Sequence, residues 1–208
     1  MNHYSATEER LNVVSHFIGL LLSVAALTVL MLKALYINSI WHVVSYSVFG
    51  ISMILLYLAS TLYHNSTHET KRKRLKVFDH SAIYVLIAGT YTPFALITLN
   101  GLWGWWILGI IWSLAIAGVI LKLFFAGRFK LASTIGYVLM GWVVVIAFKP
   151  LLDAFSTEGL IWLFTGGAFY TLGAVLYQIK RIPYNHAIFH VFVLLGTWSH
   201  FVSIYYYT

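Results

Sequence analysis

From its N-terminus the chain alternates between apolar runs close to twenty residues long and short polar interruptions. Seven runs stand out, at about 11–32, 40–63, 80–99, 103–124, 131–149, 159–178 and 184–206. An α-helix rises about 1.5 Å per residue, so each run can cross a hydrocarbon layer about 30 Å thick. The pattern predicts an all-α integral membrane protein, a seven-transmembrane-helix bundle. Short connections favour antiparallel neighbours, and residues 1–208 read as a single domain. The first run is too long for a signal-peptide core and has no convincing small-residue cleavage site, so it counts as a span. No internal repeat or low-complexity tract breaks the order.

Composition strengthens this picture. Hydrophobic residues make up 61 % of the chain and charged residues only 9 %, more apolar material than a soluble domain of this size needs. Cysteine is absent, which excludes disulfides and thiolate metal sites. The net charge of +7 raises the question of nucleic acid, but the basic residues form short clusters between apolar runs, with no long arm or stripe. They read as topogenic instead.

Arg10 precedes span one, Lys71, Arg72, Lys73, Arg74 and Lys76 follow span two, Lys122, Arg128 and Lys130 follow span four, and Lys180 and Arg181 follow span six. These are eleven of the thirteen basic residues, and all fall on one side of a seven-span topology. The positive-inside rule then predicts a cytoplasmic N-terminus, an external C-terminus and a multi-pass protein of the cell membrane. Tyr205, Tyr206 and Tyr207, with Trp103, Trp105 and Trp106, suit an aromatic belt at the outer interface.

That orientation puts an unusual set of polar residues at one depth. Span one begins with Glu9, Asn12, Ser15 and His16, span two ends with Ser60 and His64, span three begins with Asp79 and His80, and span seven begins with His186 and His190. Such groups are costly in hydrocarbon and mark a bundle interior or a wet cavity. His186 and His190, four apart, share a helix face about 6 Å along the axis. Both can reach one ion, and His64 supplies a third imidazole, leaving one tetrahedral position for water. With imidazole dominant and thiols absent, zinc leads, and other divalent transition metals stay open. Asp79 can bind the ion or hold water and accept its proton, and equally can cap the start of span three. Ser60, one turn before His64, can orient ligand, water or a substrate carbonyl.

The same residues carry a resemblance. Glu9-x-x-Asn12-x-x-Ser15-His16, Ser60-x-x-x-His64, Asp79-His80-Ser81-Ala82-Ile83-Tyr84, Gly89-Thr90-Tyr91-Thr92-Pro93 and His186-x-x-x-His190 resemble the bacterial hemolysin III family. That family is grouped with progestin and adiponectin receptors, and more distantly alkaline ceramidases, among membrane hydrolases. The resemblance runs from about Glu8 to the C-terminus. It implies seven helices, a zinc ion near the cytoplasmic face on His64, His186 and His190, and catalytic roles for Asp79 and Ser60. The long N-terminal extension of adiponectin receptors is missing here, so hormone sensing does not carry over.

Two functional classes follow. One is zinc-dependent hydrolysis of a lipid amide or ester, with membrane lipid entering sideways between helices. The other is a receptor-like, homeostasis or permeability protein, associated with cytolysis, in which zinc clamps helices. An ion path through Asp79 ranks last, because the outer half of the spans lacks carboxylates. Glu9 can cap span one or pair with the basic loop, and Glu9, Asn12 and His16 either support the site from behind, with Asn12 and His16 as a proton route, or lock span one to the bundle through a polar network. His42 and His200 read as structural or interfacial, and His3 and His68 as exposed. Pro93 predicts a kink in span three, and Gly166, Gly167 and Gly173 predict close packing of span six.

Overall fold

The computed structural model describes residues 4–125 and 128–208; His3 lies outside the described residues. Among the described residues, eight α-helices account for seven spans. They are α1 (Ala6–Ile37), α2 (Ile40–Asn65), α3 (Glu69–Pro93), α4 (Gly101–Phe125), α5 (Lys130–Gly141), α6 (Phe148–Ala154), α7 (Thr157–Gln178) and α8 (Asn185–Tyr207). All seven spans are long and apolar enough to cross a membrane, the fifth being α5 and α6 joined by a 3-10 segment, Val143–Ala147. Large side chains such as Leu21, Leu32, Leu35, Ile116, Leu123, Phe124 and Leu139 are exposed on the outside, a surface that suits lipid and not water. The chain is a multi-pass membrane protein.

Helix packing runs α1 to α2, α2 to α3, α3 to α4 and α5, α5 to α7, α7 to α8, and α8 back to α1. The ring is therefore closed by α1 against α8. The most buried spans are α2, α3 and α8, and they carry most of the candidate site. The N-terminal part of α1 is polar inside and apolar outside. Its buried residues Glu8, Asn12, His16, Gly19 and Ser23 recur at intervals of three or four, so one polar stripe faces the bundle while leucines and valines face outward.

One predicted boundary of span three moves. Span three begins at Glu69 rather than near residue 80, because Lys, Arg and Glu are good helix formers and continue the helix beyond the apolar window. His68 caps it by accepting from the Lys71 amide, and a Glu69–Lys73 pair at 2.8 Å supports its first turn. Asp79 consequently sits in the third turn, which removes its alternative role as an N-terminal cap. The other end stays at Leu99 as expected, and at Pro93 the α-helix gives way to a π-helical turn, Phe94–Leu99, closed by the Asn100 amide on the Ala95 carbonyl at 3.2 Å. Proline has no amide to continue the α ladder. Helix α4 meets that turn at Gly104, where a Cβ would lie 2.1 Å from the Ala95 oxygen.

In α7, Gly166 leaves room for His200, whose ring would be 2.2 Å from a Cβ there, and Gly173 leaves room for Phe192. Gly167 does not share this role, since its nearest neighbour, Trp142, stands at an ordinary 3.6 Å.

Candidate metal centre

At the end of the bundle that carries the basic connections, the last turn of α2 meets the first turns of α8. His64, His186 and His190 each offer one nitrogen, and the three atoms lie within 4.8 Å of one another. The Nε2 atoms of His64 and His186 are 3.1 Å apart, and those of His186 and His190 are 3.2 Å apart. Two nitrogens bound tetrahedrally at about 2.0–2.1 Å from zinc would be separated by about 3.3 Å. All three residues are buried, so the arrangement fits one ion at the common focus.

The tautomers of two rings are dictated from behind. His64 Nδ1 is 2.7 Å from Glu9 Oε2; a carboxylate only accepts, so this nitrogen carries the proton and Nε2 presents its lone pair. Arg72 donates to the other Glu9 oxygen and, at 2.9 Å, to the Ser66 carbonyl, and its guanidinium lies 4.8 Å from the Tyr63 ring. A buried cation thus balances the carboxylate and fixes its direction. Ser15 Oγ donates to the Asn12 carbonyl at 3.1 Å and accepts from His190 Nδ1 at 3.3 Å. His190 therefore also turns an unprotonated Nε2 inward. Rings held this way behind a metal are the usual device for orienting imidazole ligands.

Asn12 belongs to the same network. Its amide nitrogen stands 3.4 Å from His64 Nδ1, and its Oδ1 has no partner. Turning the amide over places the acceptor oxygen toward that donor nitrogen, which suits both groups. His16 stacks on His190 with centroids 3.5 Å apart and 8° between planes. His186 is held differently: Glu8 accepts from its backbone amide at 3.2 Å, and Tyr4 stacks on its ring at 4.7 Å. Burial, then the Tyr177 hydroxyl, pushes the Tyr4 hydroxyl well above its ordinary pKa, so it remains protonated.

The cluster borders a cavity of about 190 Å³ through His186 and His190. Ser60, Asp79, His186 and His190 all line it, with Leu56, Ile83, Leu86, Phe189 and Val193 among its apolar walls. Ser60 Oγ is buried without a hydrogen-bond partner among the described residues, which leaves it available to a guest. Asp79 lies outside the close nitrogen cluster but faces the same space, with its Oδ2 3.6 Å from His80 Nδ1. His80 is turned to the Lys76 carbonyl at 2.7 Å, and His200 to the Leu163 carbonyl at 3.0 Å. His42 packs on Tyr46, and His68 is exposed.

Tyr4, Glu8 and Arg72 are site residues that the sequence reading missed. Arg72 looked like one more topogenic cation in a basic run, and nothing in that run separates it from Arg74. Tyr4 precedes the first span and carries no periodic signal. Glu8 lies on the inward stripe of α1, four residues before Asn12, and that spacing could have disclosed it.

Comparison with known proteins places this architecture. The family model described as "Haemolysin-III related" matches residues 4–201. The chain is 48 % identical over 204 residues to the "Hemolysin-3 homolog" of Bacillus subtilis (strain 168), covering 98 % of this chain and 96 % of that one. It is 47 % identical over 200 residues to "Hemolysin-3" of Bacillus cereus, covering 96 % and 91 %. The human "Monocyte to macrophage differentiation factor" is 28 % identical over 176 residues, covering 80 % and 71 %.

Proposed function

The chain belongs to the haemolysin III-related family, and from that footing we propose that it is a zinc-dependent hydrolase of a lipid amide or ester. The observation that carries this reading is the junction of two features. Three imidazole nitrogens converge on one point, two of their rings, His186 and His190, line a mainly apolar cavity, and that cavity also holds a carboxylate and an unpartnered hydroxyl. We place the site at the cytoplasmic side, because the basic connections share its end of the bundle.

His64, His186 and His190 would hold the ion. When bound, zinc supplies Lewis acidity, making water more acidic and a carbonyl more electrophilic. Glu9, Ser15 and Asn12 keep the ligand rings aimed and in the correct tautomer. Asp79 takes the proton from water as its oxygen attacks the carbonyl carbon. It then returns that proton to the leaving amine or alcohol as the C–N or C–O bond breaks. Ser60 donates its hydroxyl hydrogen to the carbonyl oxygen as negative charge develops there. The apolar walls hold the acyl chain and exclude bulk water, which strengthens these electrostatic effects. Lipid reaches the cavity sideways from the bilayer.

A second reading has an observation in its favour. Helix α1 turns few residues inward, and its polar stripe converges on the histidines, so an ion there would also staple α1, α2 and α8 together. In that case the protein serves as a receptor-like or membrane-homeostasis component without turnover. The deciding experiment incubates purified, zinc-loaded protein with panels of lipid amides and esters and measures fatty-acid release before and after chelation. Release that chelation abolishes and zinc restores supports hydrolysis. Loss of thermal stability on chelation, with no release from any lipid, supports the clamp.

A further inference from the structure

The cavity does not end at the histidines. Its lining on α3 runs from Lys76 through Asp79 to Tyr91, about 22 Å of helix rise. The deep end is closed by Tyr91, Trp142, Tyr170 and His200, and the opposite end by Lys76, Lys122, Arg128 and Ser133. One extreme of a mainly apolar space therefore has three cations around it.

Lys122 is the unusual member. It sits in the last turn of α4, where a lysine ordinarily reaches outward to headgroups and favours the helix dipole. Here it is turned inward and only 4 % exposed. Its ammonium donates to Ser133 Oγ and lies 5.6 Å from the Tyr137 ring. Among the described residues, which include every Asp and Glu of the chain, no carboxylate lies within ion-pair distance of it. Lys76 lines the same cavity. A buried ammonium facing another cation, with a hydroxyl and a π face for company, is costly unless an anion joins it. Asp79 also lines the cavity but forms no ion pair with Lys122. A phosphate monoester brings nearly two negative charges and three acceptor oxygens, a match for two lysines, an arginine and the Ser133 hydroxyl.

Building on the hydrolase reading, we propose that the cavity takes a lipid with a phosphate headgroup. Lys122, Lys76 and Arg128 grip the phosphate at the mouth, and the acyl chain lies along α3 past the histidines toward Tyr170. The basic residues at the end of span four thus select substrate as well as setting topology.

The test is a binding measurement on the full chain in nanodiscs, made metal-free so that its result does not depend on turnover. Lysophosphatidic acid, the monoacylglycerol of the same acyl chain, and inorganic phosphate are compared on wild type, Lys122→Gln and Arg128→Gln. We expect the phosphate lipid to bind about tenfold or more tightly than the neutral one. That preference should vanish in Lys122→Gln and shrink in Arg128→Gln, an exposed position whose replacement spares the fold. Inorganic phosphate should compete only weakly. Equal binding of the two lipids, or an undiminished preference in both variants, overturns the proposal. So does free phosphate that binds as tightly as the lipid. A preference without turnover of any lipid would sink the hydrolase reading alone, whereas turnover of neutral lipids without a preference would sink this one alone.

Discussion

Glu9 and His64 meet through a 2.7 Å hydrogen bond, on the side of the imidazole opposite the Nε2 that faces His186. The contact joins the first turns of α1 to the last turn of α2. It fixes which His64 nitrogen is protonated, and Arg72 fixes Glu9 in turn. The arrangement around the histidines thus depends on a residue that touches no ion.

Replacement of Glu9 by Gln should therefore weaken metal binding without removing a ligand. Glutamine can present an amide nitrogen to His64 and favour the wrong tautomer, and it leaves Arg72 without its carboxylate. We expect a loss of about 10- to 100-fold in metal affinity, read by competition with a calibrated chelator. Affinity equal to wild type would remove Glu9 from the account.

Acid should strip the ion. Each imidazole must be unprotonated at its inward nitrogen to bind, so protons compete at three positions. Occupancy, measured as metal retained after equilibration across a pH series, should be full at neutral pH. It should fall steeply as the pH drops through the imidazole range. A gentle slope, matching release of one proton, would point to a single histidine ligand.

Asp79→Asn should separate chemistry from binding. The carboxylate lies outside the nitrogen cluster, so the variant should keep its metal. Loss of the proton acceptor should lower turnover by about 10²- to 10⁴-fold. Ser60→Ala should cost less, since it removes one neutral donor. Loss of the metal in Asp79→Asn would show instead that the carboxylate is a ligand.

Packing can be tested away from the site. Gly166→Ala drives a Cβ into His200, a ring already tied to Leu163, and should destabilise the protein by about 1–3 kcal/mol. Gly167→Ala meets ordinary van der Waals space and serves as the control. Thermal unfolding in one detergent should show a lower midpoint for the first variant and none of that loss for the second.

Much of this architecture was legible in the sequence because bilayer physics is strict. Seven apolar runs had to be helices, and polar residues at one depth had to face inward, which drew His64, His186 and His190 into one argument. Failures came where apolar content is a poor guide. The charged stretch from Glu69 to Phe78 continues α3, since helix propensity does not stop at the hydrocarbon boundary. At Pro93 the sequence marks the break, since proline has no amide to continue the ladder, but not its π-helical form. Arg72 and Lys122 looked like topogenic cations, and only tertiary structure shows them turned inward. Tyr4 could not be found, because stacking on His186 leaves no trace in spacing.

The most direct measurement is the metal content of purified protein, wild type beside His64→Ala, His186→Ala and His190→Ala, by elemental analysis of folded, monodisperse samples. About one zinc per wild-type chain and little in each variant is the expected result. Metal-free wild type that stays empty on exposure to zinc, or variants that keep a full complement, would contradict it.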